Sequence, residues 1–274
     1  MKSILKKLLG TQLRVCASNP SPVAHMAPIS PILEVSFPTA EPPPIAGSPA
    51  RPIGNIQLFL EDIAARGFTP RGILDVGANY GNWTRMAKSV FPRSEIIMVE
   101  PQDELESILS ELCVEIEGLQ YIKSGVGSEK CELVQTIWDD LAGSSFLPSV
   151  EPSQMAAGKQ RITKILSIDN ILHEQDSFFP DLIKLDIQGF ELEALKGAES
   201  VFGKTEVFVI ETSLYSFMNN QPTTMDCFSF MREHGYDFYD VTEYLRRPFD
   251  GALAQVDFAF AKRGGFLMNS QAWA

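Results

Sequence analysis

Ile73-Leu74-Asp75-Val76-Gly77-Ala78-Asn79-Tyr80-Gly81-Asn82-Trp83 and, further on, Ile96-Ile97-Met98-Val99-Glu100-Pro101 are the two stretches that decide the fold. In each, an apolar run meets an acid, and the first run then turns through glycines into a helix. A short apolar run bounded by turn residues reads as a buried strand, and a strand turning tightly into a helix is the repeating unit of an open parallel sheet. Ligands of such sheets bind outside the carboxyl ends of the strands. There an acid closing the second strand accepts hydrogen bonds from both hydroxyls of a ribose. The two runs together predict a pocket for an adenosine-containing ligand.

The glycine spacing narrows the ligand. A dinucleotide fingerprint, G-x-G-x-x-G, cradles a pyrophosphate on backbone N–H groups at a helix N-terminus. Here the pattern is D-x-G-x-N-x-G, through Asp75, Gly77, Asn79 and Gly81. Asn tolerates positive φ, so the turn still forms. A carboxylate at the strand end repels a diphosphate and suits a cationic sulfonium with an amino-acid tail, which points to S-adenosylmethionine. An ordinary strand–turn–helix that needs small residues would show the same run without any ligand.

A second signature follows at Asp181-Leu182-Ile183-Lys184-Leu185-Asp186-Ile187-Gln188-Gly189-Phe190-Glu191-Leu192-Glu193-Ala194-Leu195-Lys196-Gly197-Ala198. It reads as a buried strand, a glycine turn and a helix with the apolar stripe Leu192, Leu195, Ala198 and Phe202. With the opening runs it resembles the FkbM-type family of S-adenosylmethionine-dependent methyltransferases. The family pattern is close to D-V-G-A-N-x-G, then E-P, then K-x-D-x-x-G-x-E-x-x-x-L-K-G-A, and the resemblance runs from the first strand to the last. It implies a Rossmann-like class I methyltransferase fold and O-methylation of a hydroxyl on a sugar, glycan or natural-product small molecule. It also implies that the turn Ser124-Gly125-Val126-Gly127 borders the adenine. On the cofactor the two readings place Asp75, Gly77, Ala78, Asn79, Gly81, Asn82, Glu100, Pro101, Val126 and Asp186. One departure is Gln188, which stands where the family often has an acid; a side chain facing solvent would make that harmless.

The order of the remaining segments suits an α/β sheet of seven strands, mostly parallel with one antiparallel member. A helical stripe at Ile56, Phe59, Leu60 and Ile63 precedes the first strand, Gly72 to Val76, whose helix runs from Asn82 to Val90. A helix is expected over 104–112 and strands over 120–123, 132–138, 162–166 and 206–211. Thr223 or Thr224 caps a helix ending at Gly235. The strands 236–241 and 256–261 follow, the second alternating Val256, Phe258 and Phe260 with polar or small residues as near a sheet edge.

Several side chains are candidates for the chemistry. Glu100 is read as the ribose ligand. Asp75 lies near the methionine moiety, orders the glycine loop through its N–H groups, or merely complements a helix N-terminus. Asp186 is expected to face the reacting centre. Glu211 ends an apolar strand and is a candidate general base, which an alcohol needs because its own pKa is far above neutrality. Glu191 opens a helix, where charge complementarity alone explains an acid. Asp186, Glu211 and Glu191 are thus the catalytic candidates, with His173 and His234 as alternative bases in polar segments. The three acids offer hard oxygen ligands, but their spacing compels no metal and none is assigned. Lys184 is read as structural, on the face of its strand away from Asp186. Trp83, Trp138 and Tyr215 offer a sugar-stacking surface or belong to the core, and the loop Ser144-Ser145-Phe146 is assigned to the substrate side. A nicotinamide-dependent oxidoreductase and a non-catalytic domain of the same fold are the competing readings.

Charge and composition exclude other classes. The net charge of -12 opposes tight nucleic-acid binding, which needs a basic face. Cys16, Cys113, Cys131 and Cys227 show no metal-ligand spacing and suit free thiols in a reducing compartment. Ten of the 18 prolines fall between Pro20 and Pro52, so residues 19–52 are read as a Pro-rich disordered linker and 53–274 as the methyltransferase domain. Residues 1–18 carry Lys2, Lys6, Lys7 and Arg14 among leucines at helical spacing. They read as a basic amphipathic segment for peripheral contact with an anionic inner membrane surface or a partner, or as a solvated terminus. No run is long enough for a secretory or membrane-spanning segment, so a cytoplasmic location is expected. Each basic residue near an anionic surface contributes about 1 kcal/mol. A chain starting at Pro52 is therefore predicted to keep its melting temperature and to lose the co-sedimentation with anionic liposomes shown by the full chain. Equal, negligible binding by both would remove the membrane contact.

Overall fold

The structure, a computed structural model, describes residues 52–147, 159–175, 177–270 and 272. The expected basic segment and all of the expected linker before Pro52 lie outside the described residues. In chain order the elements are α1 Ile56–Ala65, β1 Gly72–Val76, α2 Asn82–Val90, β2 Glu95–Val99, α3 Glu106–Glu115, β3 Leu119–Ile122, β4 Gly125–Val126 and β5 Cys131–Ile137. They continue with β6 Lys159–Leu166, α4 Ile168–His173, β7 Leu182–Leu185, α5 Glu191–Lys196, β8 Val207–Ser213, α6 Thr224–Glu233, β9 Tyr236–Arg246 and β10 Leu253–Lys262.

Seven strands form one sheet in the order β3-β2-β1-β7-β8-β10-β9, in which β10 alone runs antiparallel to its neighbours. The central strands are covered on both faces, so they are apolar without alternation. All five residues of β1 are buried. On one face Phe59, Leu60 and Ile63 of α1, Ala87 of α2 and Leu109 and Leu112 of α3 pack on Ile73, Met98 and Val209. On the other, Ile168 and Ile171 of α4, Ala194 and Leu195 of α5 and Met231 of α6 pack on Leu74, Val76, Leu185 and Ile210. Each fully buried Leu, Ile, Val or Met among them contributes about 1.5–3 kcal/mol.

The expected elements are present, with local differences. The segment 124–127, read as a turn, contributes β4, which pairs in parallel with β6; β5 pairs antiparallel with β6, completing a separate three-stranded sheet. A 3-10 turn, Asp103–Leu105, precedes α3. The stripe through Phe202 is not one helix: α5 ends before Gly197, and a 3-10 turn follows at Glu199–Val201. Strand β8 runs past Glu211 to Ser213, held by the pairing of Ser213 with Gln255 of β10.

The loops after β1 and β7 meet at Gly77. Its φ is 81°, and a Cβ there would lie 1.9 Å from the Asp186 carbonyl oxygen. Gly77→Ala is predicted to cost at least about 2 kcal/mol in chemical unfolding, since both the left-handed backbone and the contact oppose a side chain. An unchanged unfolding midpoint would refute this close approach.

Candidate active site

The sheet order reverses direction between β1 and β7, and a cavity of about 400 Å³ opens there at the carboxyl ends of the strands, the place where open α/β sheets bind ligands. Gly77, Ala78 and Asn79 line it from one loop, Glu100, Pro101 and Gln102 from the next. Asn79 adopts φ 50°. Its N–H donates to Glu100 Oε2 at 3.0 Å, and the Gln102 N–H donates to Glu100 Oε1 at 3.1 Å. Glu100 is 3 % exposed. Burial raises its pKa above the usual carboxylate range, partly opposed by those two N–H groups. Each oxygen retains a lone pair, so a rigid carboxylate keeps acceptor capacity for a ligand.

A strap closes this end. Thr136 and Ser145 exchange backbone hydrogen bonds, Ser144 Oγ donates to Gln102 Oε1 at 3.0 Å, and Gln102 Nε2 donates to the Leu141 carbonyl at 3.1 Å. Leu141, Ala142, Ser144 and Phe146 thereby line the cavity beside Gly125 and Val126. A Cβ on Gly125 would lie 2.5 Å from the Phe146 ring. The loop assigned to the substrate side thus packs over the Glu100 and Val126 end, because Gln102 anchors it there.

The opposite end gathers acids. The β7–β8 register places Asp186 beside Glu211; Glu211 pairs with Asp257 of β10, and Asp257 with Glu243 of β9. Residues paired in register share a face, so one cross-strand row carries an acid from each of four neighbouring chain segments. Lys184 faces this row, its Nζ 3.1 Å from Asp186 Oδ2 and 3.6 Å from Asp75 Oδ1. Burial works against its charge, but Asp186, Asp75 and Asp257 more than offset that and hold the ammonium protonated. Gln188 Nε2 donates to Asp186 Oδ1 at 3.1 Å and to Glu211 Oε2 at 2.9 Å. Burial, then repulsion from Asp186, Glu191 and Asp257, pushes Glu211 well above the usual carboxylate range. Burial and then Asp186 raise Asp257 to about 7.

Of the expected cofactor residues, Gly77, Ala78, Asn79, Asn82, Glu100, Pro101, Val126 and Asp186 line the cavity, whereas Asp75 and Gly81 do not. Asp75 lies fully buried beneath the loop, accepting from Thr84 Oγ1 at 2.6 Å; burial raises its pKa despite Lys184. Gly81 precedes α2 with φ 74°, and a Cβ there would press on Leu112 at 2.6 Å. Among the catalytic candidates Asp186 lines the cavity, while Glu191 and Glu211 border a narrower recess with Gln221 and Cys227. Glu191 accepts the N–H groups of Ile187 and Gly189 at 2.9 and 3.2 Å, closing its own turn. His173 and His234 are exposed, and His234 stacks on Phe230 with ring centroids 4.1 Å apart. Trp83 lines the cavity; Tyr215 instead packs against the Arg247 guanidinium, 4.2 Å from its ring centroid.

Two readings need correction. Lys184 shares the face of Asp186, as residues two apart in a strand must. Gln188 does not face solvent but bridges two acids. Asp257 and Glu243 were missed; the alternation of Val256, Phe258 and Phe260 implied an outlying Asp257, but only the strand register shows that it meets Glu211. Among the described residues no group of three His, Cys, Asp or Glu is arranged to hold a metal ion. A larger cavity of about 910 Å³, lined by Phe68, Phe91, Phe178 and Phe179, lies where β1 and β2 begin, at the opposite end of the parallel strands from these acids.

Residues 75–238 match the family described as the Methyltransferase FkbM domain. The chain belongs to this family. Its fold is the Rossmann-like class I methyltransferase fold. Methyltransferase sdnD of Sordaria araneosa is 25% identical over 158 residues, 46% of this chain and 60% of that protein. Methyltransferase 1 of Beauveria bassiana (strain ARSEF 2860) is 26% identical over 144 residues, 46% of this chain and 58% of that one. The chain thus spans under two thirds of the length of these curated relatives. Among solved structures, the precorrin-6y C5,15-methyltransferase of Geobacter metallireducens GS-15 aligns with a TM-score of 0.42 at 10% identity, covering 76% of this chain and 86% of that one.

The cavity residues fit S-adenosylmethionine. Glu100 is rigid and has acceptor capacity for two vicinal hydroxyls, and Gly77 and Gly125 leave space that a side chain would fill. Asp186 and Glu243 on the wall suit a cationic centre and disfavour a pyrophosphate.

Burial pushes Glu191 up to about 7, against its own backbone hydrogen bonds. The folded chain therefore holds this proton more tightly than the unfolded chain. Between about pH 4.5 and 7 its contribution to stability falls as pH rises, by up to about 1.4 kcal/mol per unit. Glu191→Gln is predicted to flatten that part of the curve of unfolding free energy against pH. A curve of unchanged slope would show that Glu191 does not titrate there.

Proposed function

We propose that this protein transfers a methyl group from S-adenosylmethionine to a hydroxyl of a sugar, glycan or other small molecule, with Asp186 taking the proton. What carries the reading is that one cavity holds Glu100 fixed at one end and Asp186 at the other, in a chain of the FkbM family. Both curated relatives bear the name methyltransferase.

Glu100 would hold the ribose, Val126 and the strap would enclose the adenine, and the Gly77 loop would border the methionine end. When bound, the cofactor supplies a methyl group already activated on a sulfonium. The chain then has to align the acceptor oxygen, exclude water and remove its proton. Asp186 is the acid on the cavity wall beside the glycine loop, and Lys184 and Gln188 each hold one of its oxygens. Glu211 acts one step behind, through Gln188. Nothing in the glycine loop favours a nicotinamide dinucleotide, since Asn79 and the neighbouring acids replace a phosphate cradle. With its acid-lined cavity and net charge of -12, the protein is assigned a small-molecule acceptor and no nucleic acid.

Transfer of labelled methyl groups from S-adenosylmethionine to a panel of glycans and small alcohols tests the activity; no transfer to any acceptor despite cofactor binding would favour a non-catalytic binding domain. Asp186→Asn is predicted to lower turnover by about 10²- to 10⁴-fold at nearly unchanged cofactor affinity. Glu211→Gln, one residue removed from the cavity, should lose less than about tenfold. The reverse order would make Glu211 the base.

A further inference from the structure

At the Asp186 end the cavity is also lined by Lys184, by Trp83 against it, and by Glu243 of the acid row. Two independent features of this end point to one ligand chemistry. The first is charge. Among the described residues that line the cavity, Lys184 is the only cation, and Asp186 and Asp75 already flank it at 3.1 and 3.6 Å. Glu243 stands on the wall, paired across strands with Asp257, which pairs in turn with Glu211. An anion placed here meets the Asp186 and Glu243 carboxylates and no uncommitted positive charge, whereas a cation meets those two carboxylates in a partly desolvated setting, where such interactions are strong; Glu211, held well above the usual carboxylate range, adds little negative charge, and Asp257, raised to about 7, adds only part of one. The second feature is aromatic. Trp83 lines the same end, and the Lys184 ammonium already lies 5.9 Å from the centroid of its ring. Aromatic faces beside carboxylates are the chemistry that recognises ammonium groups.

We propose that the acceptor bears a positive charge near its reacting hydroxyl, as in an amino sugar or amino alcohol, and that this end of the cavity turns anionic acceptors away. The inference rests on the reading of the cavity as a methyltransferase site. Cofactor analogues with an arm reaching into the acceptor space probe it without knowledge of the acceptor. In three S-adenosylhomocysteine analogues, nitrogen replaces the sulfur and carries a 3-aminopropyl, a 3-hydroxypropyl or a 2-carboxyethyl arm. By titration calorimetry the aminopropyl analogue should bind about tenfold more tightly than the hydroxypropyl analogue, and the carboxyethyl analogue about tenfold more weakly, the ratio for one favourable or unfavourable charge contact. Glu243→Gln, at an exposed rim position, should shrink this spread, and Glu243→Gln with Asp257→Asn should shrink it further. Equal binding of the aminopropyl and hydroxypropyl analogues overturns the proposal, as does tighter binding of the carboxyethyl analogue. A spread that survives both variants overturns it too. Failure of S-adenosylhomocysteine itself to bind is a separate result, and it would refute the methyltransferase reading.

Discussion

One buried ammonium, that of Lys184, holds together a set of carboxylates that would otherwise force one another apart. Asp75 near the end of β1 and Asp186 after β7 both lie within 4 Å of it. A carboxylate buried without a partner is expensive, and removing one member of such a pair is strongly destabilising because the other is left uncompensated. Lys184 therefore lets two adjacent parallel strands carry acids at the point where the sheet order reverses. Thr84 donates to Asp75 Oδ2 and Gln188 to Asp186 Oδ1, whereas Asp75 Oδ1, buried 3.6 Å from the ammonium, accepts no hydrogen bond.

This arrangement ties fold to site. The carbonyl of Asp186 approaches Gly77 so closely that only glycine fits, which brings the β1 loop and the acid row to the same cavity. Further along, Asn79 and Gln102 give their N–H groups to Glu100 and fix it at the other end. The two ends differ in kind. Glu100 is rigid and hydrogen-bonded, suited to hydroxyls, whereas the row of Asp186, Glu211, Asp257 and Glu243 is crowded, and burial with mutual repulsion raises the pKa values of Glu211 and Asp257, leaving Asp186 and Glu243 as the carboxylates on the cavity wall.

Much of this was legible in the sequence, for reasons that can be stated. β1 and β7 are short apolar runs buried on both faces, and the turn after β1 places Gly77, Asn79 and Gly81 at positive φ, so both strands and the first loop can be read from residue types, whereas the turn after β7 also holds Gln188 at φ 55°. Glu100 could be picked out as a candidate because an apolar strand ends in it, and it does line the cavity. Lys184 was misread through strand parity, and Gln188 through the assumption that a residue in a turn meets solvent. Asp257 and Glu243 were out of reach: they join the site through antiparallel register across β8, β10 and β9, with bulges in the last pair, and sequence patterns do not fix register between distant strands. The strap over Val126 was likewise hidden, since it depends on two hydrogen bonds to Gln102.

The central claim is that Glu100 and the glycine loop form an S-adenosylmethionine site, and titration calorimetry of the cofactor into the parent and into Glu100→Ala tests it most directly. The parent should bind, and the folded variant should bind more weakly by about 1.5–3 kcal/mol, the range for a lost hydrogen-bond partner of charged type. No binding by the parent, or equal affinity in a folded Glu100→Ala, would contradict the account.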